Sequence, residues 1–152
     1  MHKASSRLGI IEKSKTMTES SDDQPPLSAI TDALDGLQST SRWQERVYKQ
    51  IHAHPELSFQ ETKTAALAAS KLKELGYDVL EEIGRTGVVG VLRNGQGQTV
   101  LARADMDALP VKENTGLPYA STLTTVDDAG KTVSVAHACG HDAHVTCLLG
   151  AT

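Results

Sequence analysis

Apolar positions along residues 27–75 recur at helical spacing. Ile30, Leu34 and Leu37 form one such set, and Trp43, Val47 and Ile51 form the next. These sets predict helix from Leu27 to about Ala53, broken near Ser39-Thr40-Ser41 and stopped before Pro55. Ser58-Phe59-Gln60-Glu61 has the form of a capping box opening a helix to Leu75, with Ala65, Ala68, Leu72 and Leu75 on one face. Gly76 stands where a left-handed C-terminal residue belongs.

Beyond Gly76 the pattern changes to short apolar runs. Tyr77–Glu82 and Val88–Leu92 read as strands, and Asn94-Gly95 signals a hairpin, lengthened by Gln96-Gly97, that returns through Thr99–Ala104. The unbroken apolar character of that last run predicts burial on both faces. Residues 110–131 read as loop, Val133 and Val135 as a short strand, and Val145, Leu148 and Leu149 as the apolar face of a helix starting near Asp142. Helices alternating with strands predict an α/β fold.

Composition narrows the possibilities. Hydrophobic residues make up 39% of the 152 and aromatics 3%, so the core must be built from Ala, Val, Leu and Ile. A formal net charge of −4 argues against a protein that grips nucleic acid. No run approaches the ~20 apolar residues of a bilayer span, and no apolar stretch marks a secretory signal, so the expected location is cytoplasmic. Two cysteines, Cys139 and Cys147, cannot staple a disulfide scaffold. Residues 1–26, rich in Ser, Asp, Gln and Pro toward their end, are expected to be a disordered tail, with Met17 as an alternative start.

Two clusters can carry chemistry. In Arg103-Ala104-Asp105-Met106-Asp107, the two carboxylates are two residues apart and on an extended chain point to one face, where a shared cation or proton would relieve their repulsion. An Asp-rich turn closing a strand is the plainer reading. In His137-Ala138-Cys139-Gly140-His141-Asp142-Ala143-His144, three imidazoles, a thiol and a carboxylate fall within eight residues. Gly140 allows the bend that aims Cys139 and His141 at one point, and thiolate with imidazole suits Zn or a similar divalent metal. Taken singly these residues have structural readings: Asp142 as a helix cap, His144 as a first-turn residue, Cys139 as a small buried hydrophobe. There is no CxxC pair, GxGxxG, phosphate-loop lysine or GxSxG elbow.

The strings IHAHPELSFQET (51–62), ARADMDALPVKENTGLPYAS (102–121) and HACGHDAHVTCLLGA (137–151) resemble the bacterial and plant metal-dependent amidohydrolases. That family includes hippurate hydrolases, N-acyl-amino-acid deacylases and auxin-conjugate hydrolases. The resemblance covers about residues 41–152. It implies a metallopeptidase-like catalytic domain with a central mixed sheet and flanking helices, an inserted dimerisation domain, and two divalent metals, with Zn, Mn, Co and Ni all open. Carried over by position, Cys139 and His141 match metal ligands. Asp107 matches a carboxylate behind a metal-binding or catalytic group. Asp105 falls where distant relatives place a metal-binding histidine. His137, Asp142 and His144 lie in the motif without a ligand role, as possible supports.

The family hydrolyses amides with a metal-activated water and a glutamate as general acid–base, supplied by an acidic pair beyond the last motif. On this resemblance residues 27–152 are the N-terminal part of the catalytic domain, without the inserted domain. The chain alone is expected to be inactive, its substrate in the whole enzyme being a small N-acyl amino acid or conjugate. A truncated, non-catalytic module that binds a metal weakly is the alternative.

Overall fold

A computed structural model describes residues 7–13, 27–35 and 37–152. The elements run β1 (Arg7–Lys13), α1 (Leu27–Asp35), α2 (Leu37–Ala53), α3 (Thr62–Glu74), β2 (Asp78–Ile83), β3 (Gly87–Leu92), β4 (Thr99–Asp105), β5 (Thr124–Val126), β6 (Thr132–Ser134) and α4 (His141–Gly150). The main sheet has the order β2-β3-β1-β4, and β5 and β6 form a separate hairpin. β1 runs parallel to β3 and antiparallel to β4, so the sheet is mixed, as the family resemblance implies.

Helices α3 and α4 lie against this sheet, and α2 packs on α4. Between them Val47, Ile51, Ala68, Ala69, Leu72, Val88, Ala104, Met106, Val145 and Leu149 form the core. Small residues let the layers approach closely: a Cβ on Gly90 would lie 3.1 Å from Leu72 Cδ1 and 3.2 Å from Tyr77 Cδ1. Strand alternation sends Val79 toward this core and Leu80 to the opposite face, where Leu80 and Leu101 are exposed.

Four expectations change. Residues 7–13 of the expected tail form β1, because the Leu8–Ile11 segment meets the apolar strands β3 and β4 and completes their ladders. Positions 1–6 and 14–26, Met17 among them, lie outside the described residues. The Asn94-Gly95 turn does not close a hairpin, since β1 stands between β3 and β4. Among the described residues β4 consequently has one strand neighbour, and it exposes Val100 and Leu101 rather than burying both faces. Residues 39–41, expected to break the helix, lie inside α2.

The start of α3 is also built differently from the capping box. Glu61 makes no side-chain cap; it is fully buried and accepts a 2.7 Å hydrogen bond from Thr86 Oγ1. Phe59, at φ 65°, turns the chain so that Glu56 reaches the helix end instead. Its carboxylate accepts from Lys63 N at 3.0 Å and from Thr64 N at 2.8 Å. An anion at the positive end of the helix is the favoured arrangement.

Past β4 the chain stays extended and joins three segments. Ala108 N donates to Glu56 O at 2.7 Å, and Leu109 and Ala136 exchange backbone hydrogen bonds of 3.0 and 3.1 Å. A small second core of Leu57, Ala108 and Val135 seals the junction. The β5–β6 turn, expected as plain loop, is held by Asp127 Oδ1, which accepts from Ala129 N and Lys131 N at 2.9 Å each. These contacts carry Asp107 to the start of α4.

Candidate metal centre

His141 opens α4, and Gly140 before it sits at φ 78°, a left-handed conformation that glycine adopts without strain. The imidazole Nδ1 of His141 lies 2.8 Å from the Asp107 carbonyl oxygen and 3.0 Å from Asp107 Oδ1. Both partners are acceptors, so Nδ1 carries the proton. In a neutral ring, Nε2 then holds the lone pair, as in the carboxylate–histidine pairs that prepare an imidazole for a metal. Cys139, two residues earlier, exposes its thiol. A thiol that yields a thiolate on coordination and, two residues on, an imidazole with Nε2 as its lone-pair atom are donor types suited to a divalent transition metal.

Among the described residues no group of three or more His, Cys, Asp or Glu side chains is placed to hold a metal ion. A tetrahedral zinc site takes four ligands. The described residues therefore form no closed site.

The other motif residues part company. Asp105, at the end of β4, has an oxygen 3.4 Å from Arg103 Nη2. His144 is exposed, with its ring centroid 5.9 Å from that of His141. Neither ring nitrogen of His137 has a hydrogen-bond partner among the described residues, although both atoms are buried. Burial, the largest influence, holds the His137 pKa below its ordinary value. Asp142 is not the helix cap, because Gly140 takes that position; its side chain turns inward and is 2% exposed.

What Asp142 meets is His52, at the end of α2. His52 Nδ1 lies 2.7 Å from Asp142 Oδ2, and His52 Nε2 lies 3.0 Å from Glu113 Oε1. Burial lowers the His52 pKa, but hydrogen bonds and charge from Glu113 and Asp142 outweigh it and raise the pKa above its ordinary value. Burial likewise pushes Glu113 up, yet Thr115, His52 and the Ser121 amide bring it down to about 2. The rings of Tyr48 and Tyr119 stand 5.5 and 5.3 Å from the His52 ring. Sequence reasoning singled out neither His52 nor Glu113. The one available signal was a histidine beside Ile51 on the buried stripe of α2; Glu113 sits in a loop with no periodicity.

The same segments match known proteins. Residues 101–152 match Peptidase family M20/M25/M40. The chain is 55% identical over 106 residues to a hippurate hydrolase of Campylobacter jejuni, covering 69% of this chain and 25% of that protein. It is 40% identical over 109 residues to IAA-amino acid hydrolase ILR1-like 2 of Arabidopsis thaliana, covering 72% and 23%. A Bacillus subtilis crystal structure, described as a dinuclear metal-binding peptidase of the M20 family, superposes with a TM-score of 0.56 at 29% identity, over 74% of this chain and 29% of that one.

Over residues 101–152 the chain resembles the M20/M25/M40 peptidases.

The Asp107–His141 pair and Cys139 all fall inside the M20/M25/M40 match, whereas His52 precedes it. The mixed α/β architecture is that of the M20 structural neighbour. The chain spans about a quarter of the length of the curated relatives it matches.

Proposed function

We propose that residues 27–152 supply the N-terminal half-site of a metal-dependent hydrolase that cleaves the amide bond of N-acyl amino acids or similar conjugates. One observation carries this reading: His141 donates through Nδ1 to Asp107 and so keeps Nε2 as its donor atom, two residues after the exposed Cys139. The relatives supply the reaction class, since both are hydrolases by name and the solved neighbour is described as dinuclear.

Cys139 and His141 would hold the metal, with two divalent ions in the whole site. A bound divalent ion supplies Lewis-acid activation of water and polarises the amide carbonyl. Asp107 fixes the tautomer and ring plane of His141 and raises its basicity as a ligand. Gly140 lets the backbone turn between the two ligands. A cleft of about 410 Å³ adjoins Asp107, lined by Leu57, Leu109, Pro110 and Asp127 among others, and gives this side of the site an apolar wall. The whole protein, on this reading, works in the cytoplasm as a dimer on a small-molecule substrate, without nucleic acid or membrane. The two-donor site also supports a second reading, a weak metal-binding module without catalysis.

Grafting separates the two. Residues 41–152 should replace the matching segment of the Campylobacter jejuni hippurate hydrolase and preserve amine release from N-acyl amino acids, with His141→Ala in the graft abolishing it. The isolated 152-residue chain should take up metal through Cys139 and His141 but release no amine. A folded, metal-loaded graft without hydrolysis would overturn the hydrolase reading and leave the metal-binding module.

A further inference from the structure

The cluster of His52, Asp142 and Glu113 has no part in the ligand pair, yet it buries ionisable groups next to it in the chain. His52 is 6% exposed and Asp142 2%. Both ring nitrogens face carboxylate oxygens, so the ring donates at each and carries a positive charge between two acceptors. Buried charges persist only when paired in this way, and removing one partner leaves the others uncompensated.

The bonds do not stop at Glu113. Its Oε2 accepts from Ser121 N at 2.6 Å, and Ser121 Oγ donates to Val135 O at 2.7 Å. Val135 lies two residues before His137, and Asp142 lies one residue after His141. One network therefore grips the chain on both sides of the His137–His141 segment, and its centre is the last turn of α2. Tyr48 and Tyr119 wall the His52 ring and restrict its movement.

We propose that His52 is a positioning residue for the metal: by tying Val135 and Asp142 to the end of α2, it sets the separation and aim of Cys139 and His141. This rests on the reading of Cys139 and His141 as ligands. A structural tie alone would stabilise the fold equally with any packing that fills the site. A positioning tie must alter the geometry offered to the metal, and its loss must appear in the ligand pair.

Cobalt(II) titrated into the purified 152-residue chain tests this through the thiolate-to-metal absorption that Cys139→Ser should remove. His52→Leu is expected to weaken cobalt binding by about 10–100-fold and to shift the absorption envelope, as loss of a ligand's support does elsewhere. His52→Gln, which keeps a donor, should recover part of the affinity. Glu113→Gln preserves shape, serves if His52→Leu does not fold, and should weaken binding by a smaller factor. In metal-free protein, amide exchange in residues 137–144 of these variants should accelerate relative to α3. Wild-type and variant chains binding cobalt within about twofold of one another, with Cys139-dependent absorption in each, would overturn the positioning role and leave the half-site standing. No Cys139-dependent absorption in the wild-type chain would overturn the half-site and this inference with it.

Discussion

At the scale of single residues, the charged cluster at His52 makes stability depend on pH in a defined sense. His52 has a pKa raised above 6.5 in the fold, so its contribution is complete below about pH 6.5 and is lost as pH rises through the raised value. Glu113 is lowered from 4.5 to about 2, so its contribution is complete above about pH 4.5 and is lost as pH falls toward 2. The two together predict a plateau of stability between about pH 4.5 and 6.5. Thermal midpoints across pH 2–9 check this, and Glu113→Gln should flatten the acid arm specifically; an unchanged acid arm would count against the buried pair. The sequence shows which residues can ionise and which can ligate. It does not show that Asp142 and His141, adjacent in the chain, point in different directions, one to His52 and the other to Asp107.

Among elements, the helices are the most legible part of this chain. The apolar face of α3 read from spacing, Ala65, Ala68 and Leu72, is the face it buries. Leu75, assigned to the same face, is exposed at the C-cap because the helix has ended there. The cap at the other end was misread because Glu56, six residues before Thr62, reaches the helix only after the turn at Phe59 brings it back. The strands expected at Tyr77–Glu82, Val88–Leu92 and Thr99–Ala104 fall within a residue of β2, β3 and β4, but their pairing does not follow from sequence, since a strand needs a partner and β1 is remote along the chain. Gly90 in β3 offers a direct test of helix–sheet packing. Its missing Cβ would sit 3.1–3.3 Å from Leu72 and Tyr77, inside the core. Gly90→Ala is expected to destabilise by about 1–3 kcal/mol, an overpacking cost, measured by urea unfolding. A neutral result would mean that α3 can shift away from β3 at little cost.

For the whole molecule, the helices cover one face of the main sheet, and the opposite face exposes Leu80 at 55% and Leu101 at 64%. Leu27 and Leu34 on α1 are exposed as well. Apolar surface left in contact with water favours association. Sedimentation velocity of the isolated chain should therefore show self-association that grows with concentration, and Leu101→Lys should reduce it without lowering the melting midpoint. A wild-type chain that stays monomeric across the range would exclude this face as the cause. The sequence by itself determined the α/β class, the helices and the residue types able to bind a metal, because periodicity and local donor chemistry are properties of neighbouring positions. The tertiary structure alone decided that β1 divides the expected hairpin, that Asp107 meets His141, and that His52 joins Glu113 to Asp142. The last two contacts span 34 and 90 residues of chain at their widest. Such pairings depend on how layers stack and strands order themselves, and no local pattern encodes that.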